Sequence, residues 1–295
     1  MNKKPLVYIV IVNYNGLQDT IECINSIKKS TYENYKVVVV DNGSTDNSVS
    51  TLIKEFRDVK LIKSQENLGF SGGNNIGIMF ALNQNADYVC LLNNDTVVSK
   101  DFLKELVEVA INYKDVGIVG GQINFFDNPL KIWFGGGILS KVRGNAYHRF
   151  IHMEEEDKVI ISEEDFITGC LQLISRDVIN KVGLLNDDYF LYYEDTDYCC
   201  RVRNAGYKLI YTNKSKIYHK VSQSTGEKSA LFYYYNTRNR LIFIRNNFNG
   251  LAKSVSLFYA ILTSILKLFI FKNRYIYIAI KDFFLGRKGK YTKEF

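Results

Sequence analysis

The chain has 295 residues, of which 46% are hydrophobic and 23% are charged, the proportions of an ordinary globular protein. This length allows one large domain or one domain with an appendage. The 5 cysteines are odd in number and show no metal-ligand spacing, which argues against a disulfide framework and a zinc site. Since no signal peptide precedes the first strand-like run, we expect a reduced, cytoplasmic location.

The positive charge of the chain is concentrated in its tail. From Arg245 to the end there are 10 Lys and Arg residues against 2 Asp and Glu residues, a net charge of +8. The rest of the chain has 28 Lys and Arg against 29 Asp and Glu, a net charge of −1. We therefore expect an anionic partner for the tail, either a membrane surface or nucleic acid.

Strand and helix patterns alternate along the first third of the chain. Continuous apolar runs predict buried strands at 6–12, 37–40, 59–62 and 88–92. Helical spacing predicts a helix at 17–27, and Asp46 is the predicted N-cap of a helix that ends near residue 56. This alternation predicts βαβ units, and hence an α/β fold with a mostly parallel sheet.

Polar residues follow three of these strands, namely Asn13, Asp41 and the segment 93–95. Because the carboxyl ends of parallel strands meet at one sheet edge, we expect a ligand crevice there. Asp41 suits hydrogen bonds to a nucleobase or a ribose. Asp95 suits Mg²⁺, which binds one or two carboxylates together with substrate phosphates. Each segment alone is also a common turn, and only the three together favour a site.

A glycine-rich loop at 65–75 precedes an apolar pattern that predicts a helix starting near Asn74. Glycines allow the backbone to approach a ligand closely, and a helix N-terminus favours an anion. The loop is neither a dinucleotide fingerprint nor a P-loop, so its signal is weak by itself.

The middle of the chain has fewer clear signals. We predict a helix at 101–113, a strand at 116–119 that ends at the pair Gly120 and Gly121, and a strand crossing the site at 166–174. Residues 122–162, which include Trp133, have the looser pattern of hairpins and loops able to touch an acceptor.

Three carboxylates, Glu194, Asp195 and Asp197, stand within four residues among aromatic side chains. A helical pattern follows and ends at Gly206, a typical C′ glycine. Asp195 would lie near the helix N-terminus, where an anion is favoured, although acids there also serve only to complement the helix dipole. A short strand at 216–219 ends in His219, for which structural burial is the alternative.

Taken in order, these motifs resemble glycosyltransferase family 2 of the GT-A fold, and in particular its rhamnosyltransferase-like members. The resemblance spans roughly residues 6–225. It is carried by Val12-Asn13-Tyr14-Asn15, Val40-Asp41-Asn42-Gly43-Ser44-Thr45-Asp46, Asn67-Leu68-Gly69-Phe70, Gly73-Asn74-Asn75, Leu92-Asn93-Asn94-Asp95, Thr168-Gly169, Tyr193-Glu194-Asp195-Thr196-Asp197 and His219.

The resemblance implies a role for each motif residue. It assigns Asp195 as the general base with Glu194 in support, and Asp95 with His219 as ligands of Mg²⁺ or Mn²⁺. Asn93 replaces the usual first Asp of the Asp-x-Asp motif, which leaves one carboxylate in that element. The nucleotide-sugar site would comprise Asn13, Asn15, Asp41, Asn42, Asn67, Gly73, Asn74 and Asn94, and the acceptor site Thr168, Gly169 and Trp133.

The implied reaction is metal-dependent, inverting transfer of a sugar from dTDP-rhamnose or a UDP-sugar to a saccharide or lipid-linked saccharide. Inverting transfer needs one base for the acceptor hydroxyl and a stabiliser for the departing diphosphate. A nucleotidyltransferase is the alternative enzyme, but it would need a basic loop, and residues 13–20 contain no Lys or Arg. The Glu194-Asp195 pair argues against a non-catalytic scaffold.

We divide the chain into a catalytic domain, 1–228, and a helical, basic and aromatic region, 229–295. Residues 255–271 form an apolar run broken by a single charge, Lys267, and Lys253, Ser256, Thr263 and Lys267 form a polar stripe along one side. This stripe predicts an amphipathic helix on the inner face of the cell membrane, with packing on the catalytic domain or in a homodimer as the alternative. The tail is too apolar for a solvated arm that binds nucleic acid.

Overall fold

The computed structural model describes residues 4–155, 158–221 and 229–292. Its strands are β1 (Val7–Asn13), β2 (Tyr35–Asp41), β3 (Lys60–Lys63), β4 (Tyr88–Asn93), β5 (Thr96–Val98), β6 (Val116–Phe125), β7 (Ile132–Phe134), β8 (Gly137–Ser140), β9 (Asn145–His148), β10 (Ile161–Glu163), β11 (Leu171–Ser175) and β12 (Lys208–His219). Its helices are α1 (Leu17–Ile27), α2 (Ser48–Glu55), α3 (Gly69–Asn83), α4 (Phe102–Asn112), α5 (Arg176–Val182), α6 (Glu194–Asn204), α7 (Ala230–Asn247), α8 (Gly250–Phe271) and α9 (Arg274–Phe284).

One ten-stranded sheet organises the molecule, in the order β10-β12-β6-β11-β4-β1-β2-β3, with β5 beside β12 and β7 beside β6. The pairs β1–β2, β1–β4, β2–β3 and β6–β12 are parallel, whereas β11 runs antiparallel to both of its neighbours. The predicted α/β class with a mostly parallel sheet is therefore confirmed.

The central strands are buried on both faces, which explains their unbroken apolar sequences. Val7 and Ile9–Ile11 of β1 have no exposed surface, and neither do Val38–Val40 of β2. Helices α1 and α3 cover this part of the sheet and place their buried residues against it. The rigid layer so formed fixes where each strand ends, and the strand ends carry the polar motifs.

The predicted start of α3 near Asn74 is wrong, because the helix begins at Gly69. Gly69 has a positive φ of 74°, and a Cβ there would lie 2.1 Å from the carbonyl oxygen of Phe190. A Cβ on Gly73 would meet Val12 at 2.8 Å, so the glycine lets the helix lie directly on β1. Close packing on the sheet thus outweighs the low helix propensity of glycine.

Two predicted strand limits are also wrong. Strand β6 continues through Gly120 and Gly121 to Phe125. These two glycines do not end the strand; they are needed because side chains of Ile167 and Ser215 occupy the space that a Cβ would need. Strand β11 begins only at Leu171, since the residues before it turn to contact α6.

The starts of one helix and one strand differ from their predicted positions. Helix α2 begins at Ser48 with Asn47 as its N-cap, one residue after the predicted cap Asp46, whose carboxylate accepts a hydrogen bond from Ser48 N at 3.0 Å. Strand β12 starts at Lys208 rather than at residue 216, although it ends at His219 as predicted.

The C-terminal helices pack on the catalytic part of the chain through α7. Leu241–Ile244 of α7 share a buried cluster with Tyr189, Tyr193 and Cys200, which lie before and within α6. The predicted domain boundary at 228/229 adjoins residues 222–228, which lie outside the described part of the chain.

Helix α8 is amphipathic, and its inward side contains small residues, whereas Lys267 of the predicted polar stripe is exposed. Ser256 and Ser264 are buried with Ala260, and Ser256 donates a hydrogen bond to the carbonyl of Lys141. The apolar side chains Phe258, Phe269 and others point outward. Among the described residues, α8 is the one helix long and apolar enough to cross a membrane by length and composition.

Candidate active site

Three predicted site residues meet at the carboxyl edge of the sheet. In the strand register Asn13 stands opposite Asp41, and Val12 stands opposite Asn93. Asn13 Nδ2 donates to Asp41 Oδ1 at 3.0 Å, and Ser44 N donates to Asp41 Oδ2 at 3.2 Å. Both oxygens of this fully buried carboxylate are held in place, yet each keeps acceptor capacity for a ligand.

The residues that follow β2 are joined to the loop before α3. Asn42 Oδ1 accepts from Leu68 N at 3.0 Å, and Asn42 Nδ2 donates to the carbonyl of Gly69 at 2.9 Å and to Asn67 Oδ1 at 3.2 Å. Asn67 Oδ1 in turn accepts from Gly69 N at 2.8 Å. These bonds fix the loop beside Asp41.

The remaining predicted nucleotide-site residues have mainly structural contacts. Asn74 Nδ2 donates to the carbonyl of Phe70 at 2.9 Å within α3, while Gly73 packs on β1. Asn15 accepts from Thr45 N at 2.8 Å and joins the β1 and β2 exits. Asn94 turns its amide to Thr20 Oγ1 at 3.0 Å, so it ties the β4 turn to α1.

Asp95 and His219 are brought together by strand pairing. In the antiparallel pair of β5 and β12, His219 stands opposite Thr96, the residue after Asp95. His219 Nε2 lies 3.1 Å from Asp95 Oδ1, and the two side chains are only 8% and 13% exposed. Burial opposes ionisation of Asp95, but the neighbouring imidazole and Lys220 outweigh it and lower the pKa of this carboxyl.

This pair fits a divalent cation on its own geometry. Asp95 Oδ1 is a buried atom that makes no hydrogen bond of standard geometry in the described part of the chain, and His219 Nε2 lies beside it. An oxygen and a nitrogen 3.1 Å apart match neighbouring ligands of an octahedral ion, whose ligand distances of about 2.1 Å put them about 3 Å apart. The described residues contain no cluster of three or more His, Cys, Asp or Glu for a metal, so substrate phosphates would supply further ligands.

Asp195 lies in the first turn of α6, where the helix dipole favours its negative charge. Its Oδ2 accepts from Gly169 N at 2.8 Å and its Oδ1 from Thr196 N at 2.6 Å. Burial raises the pKa of Asp195, and the hydrogen bonds from Gly169 and Thr196 oppose that rise. The carboxylate is therefore oriented and still able to accept a proton.

The two other acids of this motif differ from Asp195. Glu194 is 5% exposed, and burial followed by the charge of Asp195 raises its pKa well above the ordinary range. Asp197 accepts hydrogen bonds from Tyr189, Arg201 and Asn247, and so has a structural role.

The dipeptide Gly169-Cys170 connects the two predicted catalytic elements. Gly169 N binds Asp195, and the carbonyl of Cys170 accepts from Asn93 N at 3.1 Å, two residues before Asp95. A Cβ on Gly169 would lie 3.2 Å from Asp195 Cβ, so only glycine allows this close approach without displacement of its neighbours. Asp95 and Asp195 thus lie on either side of one short segment.

The predicted acceptor residues Thr168, Gly169 and Trp133 lie close to Asp195 or to the Asp95–His219 pair. Thr168 is buried next to Gly169. Trp133 lies on β7 with its ring 4.7 Å from that of His219 and 4.5 Å from that of His148, measured between centroids. Trp133 therefore connects the Asp95–His219 pair to the residues around Asp195.

A cavity of about 200 Å³ opens beside Asp195 and contains residues that the sequence patterns did not single out. We call it the α6–α7 cavity, and its walls include Asn145, His148, Phe166, Tyr192, Glu194 and Asn236. Burial lowers the pKa of His148 to about 4, so its imidazole is neutral. Asn145 and His148 come from the β8–β9 hairpin and Asn236 from α7, where no local sequence pattern marks a site.

Comparison with known proteins places the chain among sugar transferases. The model of the family "Glycosyl transferase family 2" matches residues 8–183, more than half of the chain. The dTDP-rhamnosyl transferase RfbF of Shigella flexneri is 25% identical over 258 residues, which cover 84% of this chain and 83% of that protein.

Solved structures share the fold. GalNAc-T7, solved with UDP, GalNAc and Mn²⁺, superposes with a TM-score of 0.68 at 17% identity, over 83% of this chain and 48% of that one. The mannosyltransferase PcManGT from Pyrobaculum calidifontis, in complex with GDP-Man and Mn²⁺, gives 0.62 at 14% identity, over 97% of this chain and 89% of that one.

Some relatives are much longer than this chain. The match to the uncharacterized protein y4gI of Sinorhizobium fredii covers only 26% of that protein. The structural neighbours confirm the expected GT-A class with a C-terminal helical region. Together with the match over residues 8–183, they lead to one conclusion: the chain belongs to glycosyl transferase family 2 and is a glycosyltransferase.

Proposed function

We propose that this glycosyltransferase moves a sugar from a nucleoside diphosphate donor to a hydroxyl of a saccharide or lipid-linked saccharide, with inversion at the anomeric carbon. Asp195 is the general base, and Asp95 with His219 holds Mg²⁺ or Mn²⁺. The observation that carries the proposal is the Gly169-Cys170 segment, which binds Asp195 through one amide and the end of β4, just before Asp95, through one carbonyl.

In the proposed reaction Asp195 accepts the proton of the acceptor hydroxyl as that oxygen attacks the anomeric carbon. Gly169 N and Thr196 N hold the carboxylate in the orientation that this transfer needs. Asp41 and Asn13 bind the base or ribose of the donor. Asp95 and His219 would hold the divalent cation, whose charge would stabilise the departing diphosphate.

We propose dTDP-rhamnose as the first donor to test, with UDP-sugars next. A dTDP-rhamnosyl transferase is among the relatives that this chain matches over most of both lengths. The neighbours solved with UDP or a GDP-sugar share only the fold, so they leave the base and the sugar to experiment.

The cation site is tested by Asp95→Ala. We expect loss of nucleotide-sugar turnover by about 100-fold or more, the scale of removing one electrostatic stabiliser, and a similar loss when wild-type protein is treated with EDTA. Asp127→Ala, which changes an exposed aspartate elsewhere, is the matched control. Near-normal turnover of Asp95→Ala, or a wild-type enzyme indifferent to EDTA, would contradict the metal assignment.

We further propose that α8 lies on the inner face of the cell membrane, near a lipid-linked acceptor. Its outward side chains are large and apolar: Leu251, Val255, Phe258, Leu262, Leu266, Phe269 and Ile270. Exposed Lys272, Arg274 and Lys281 follow at its C-terminal end and on α9. An apolar face with a basic border suits anionic lipid, which attracts each nearby basic residue by about 1 kcal/mol.

A further inference from the structure

The α6–α7 cavity has two walls from distant parts of the chain. Glu194 and Asp195 come from the first turn of α6, and Asn236 comes from α7 in the C-terminal region. Asp195 is itself one of the wall residues, so the cavity adjoins the predicted base.

Two polar atoms in these walls lack a partner. Glu194 Oε2 and Asn236 Nδ2 are both buried, and neither makes a hydrogen bond within the described part of the chain. Burying such atoms unpaired is costly, and native proteins contain few of them. A carboxyl oxygen and an amide donor, left open in the same cavity, are complementary to hydroxyl groups, which both donate and accept hydrogen bonds.

The remaining walls suit the carbon face of a sugar. Phe166, Tyr192 and Tyr193 contribute aromatic surface, while Asn145 accepts a hydrogen bond from the Tyr193 hydroxyl at 2.5 Å and so holds that ring. Binding sites for small molecules combine aromatic walls with a few placed polar groups in this way. A volume of about 200 Å³ is on the scale of one sugar ring.

We propose that the α6–α7 cavity binds the terminal sugar ring of the acceptor, with Asn236 and Glu194 holding two polar groups of that ring while its reacting hydroxyl faces Asp195. This assignment rests on the proposed sugar transfer. It makes Asn236 a specificity-determining residue, and it makes the C-terminal region part of the catalytic site.

Octyl glycosides of glucose, galactose, N-acetylglucosamine and rhamnose are suitable probes. The full-length protein, with diamagnetic Mg²⁺ and either UDP or dTDP, is titrated with each glycoside and binding is followed by saturation-transfer NMR. We expect at least one glycoside to bind the wild type. If none of the four binds, the cavity is not a sugar site and the proposal is wrong.

The decisive variant is Asn236→Leu, which keeps the approximate size but removes the amide. We expect it to weaken glycoside binding by about 10-fold, the effect of one lost hydrogen bond with its partner left unpaired, and to change nucleotide affinity far less. Asn112→Leu, the same change at an exposed helix position, should behave as wild type. Asn236→Ala replaces the leucine variant if thermal melting shows misfolding. Unchanged glycoside affinity in a folded Asn236 variant overturns the proposal.

Hydrolysis of the nucleotide sugar, measured without any glycoside, separates the subsite proposal from the proposed sugar transfer on which it rests. A wild-type protein that binds a glycoside through Asn236, but neither hydrolyses the tested nucleotide sugars nor transfers their sugar to that glycoside, contradicts the proposed donors and leaves the subsite standing. A protein that hydrolyses a nucleotide sugar, with glycoside affinity insensitive to Asn236, contradicts the subsite alone.

Discussion

Two adjacent carboxylates on α6 have different surroundings and therefore different chemistry. Burial and the neighbouring negative charge of Asp195 raise the pKa of Glu194, so both favour its protonated form. Asp195 receives hydrogen bonds from the backbone of Gly169 and Thr196, which favour its ionised form. Of the pair, Asp195 is therefore the member that can accept a proton, and Glu194 the member that stays neutral to higher pH.

The base is tested by the pH dependence of kcat. Because Asp195 must be ionised to act and burial raises its pKa, kcat should fall as the pH drops through that raised pKa, at a higher pH than for an ordinary aspartate. Asp195→Asn should lower kcat by about 10²–10⁴-fold, remove this acid limb and keep donor affinity. An Asp195→Asn variant with the wild-type acid limb would place the base elsewhere, and one that loses donor binding would make Asp195 a donor ligand.

Helix α7 holds the segment that leads into Asp195. Asn239, which is fully buried, donates to the carbonyls of Tyr189, Leu191 and Tyr192 at 2.6, 2.7 and 3.1 Å. This segment has non-glycine residues with positive φ, among them Phe190 at 59° and Tyr193 at 74°. Such conformations persist only where the surroundings enforce them, and α7 provides that support.

Asn239→Leu should therefore affect both stability and catalysis. We expect the free energy of unfolding to fall by about 1–3 kcal/mol, because buried carbonyls lose their donor. We also expect kcat to fall in the folded variant, because the loop ahead of Glu194 is less fixed. Urea unfolding and steady-state kinetics measure the two effects, with Asn112→Leu as control. Wild-type values for both would mean that α7 does not position the base.

The elements that the sequence predicted well are those with strong local patterns. Strands β1, β2 and β4 have unbroken apolar runs, and the polar residues that follow them meet at one edge as expected. The predicted start of α3 and the predicted end of β6 are wrong because the glycines in these elements allow close contact with residues distant in sequence, such as Phe190 and Ser215. The local sequence does not reveal such contacts. Asn236 gave no signal for the same reason, since only the folded chain brings it to Asp195.

At the scale of the whole molecule, charge and apolar surface are unevenly distributed. The chain before Arg245 has a net charge of −1 and the tail has +8. The tail also contains α8, whose most apolar stretch is only 17% buried. The sequence stripe that contains Ser256 and Thr263 predicts the polar side of an amphipathic helix. In the fold Ser256 contacts Lys141 of the catalytic part, whereas Thr263 accepts a hydrogen bond from Arg240 of α7.

Membrane binding through α8 is tested by flotation of the full chain with vesicles that contain anionic lipid. We expect the wild type to float at low salt and less at high salt, because exposed charges are screened. Phe258→Glu with Phe269→Glu should abolish flotation, whereas Ile53→Glu with Ile111→Glu, at exposed positions on α2 and α4, should not. If the wild type stays unbound and the α8 variant instead converts a dimer into a monomer, a second copy of the chain covers α8.

The central claim is a single displacement in which Asp195 activates the attacking oxygen. It is tested most directly by ¹H NMR of the anomer first released when the wild-type enzyme hydrolyses its donor in D₂O, starting with dTDP-rhamnose. A single displacement predicts that the first sugar formed has the anomeric configuration opposite to that of the donor, before mutarotation mixes the two forms. Release of the sugar with the donor's own configuration would contradict the account.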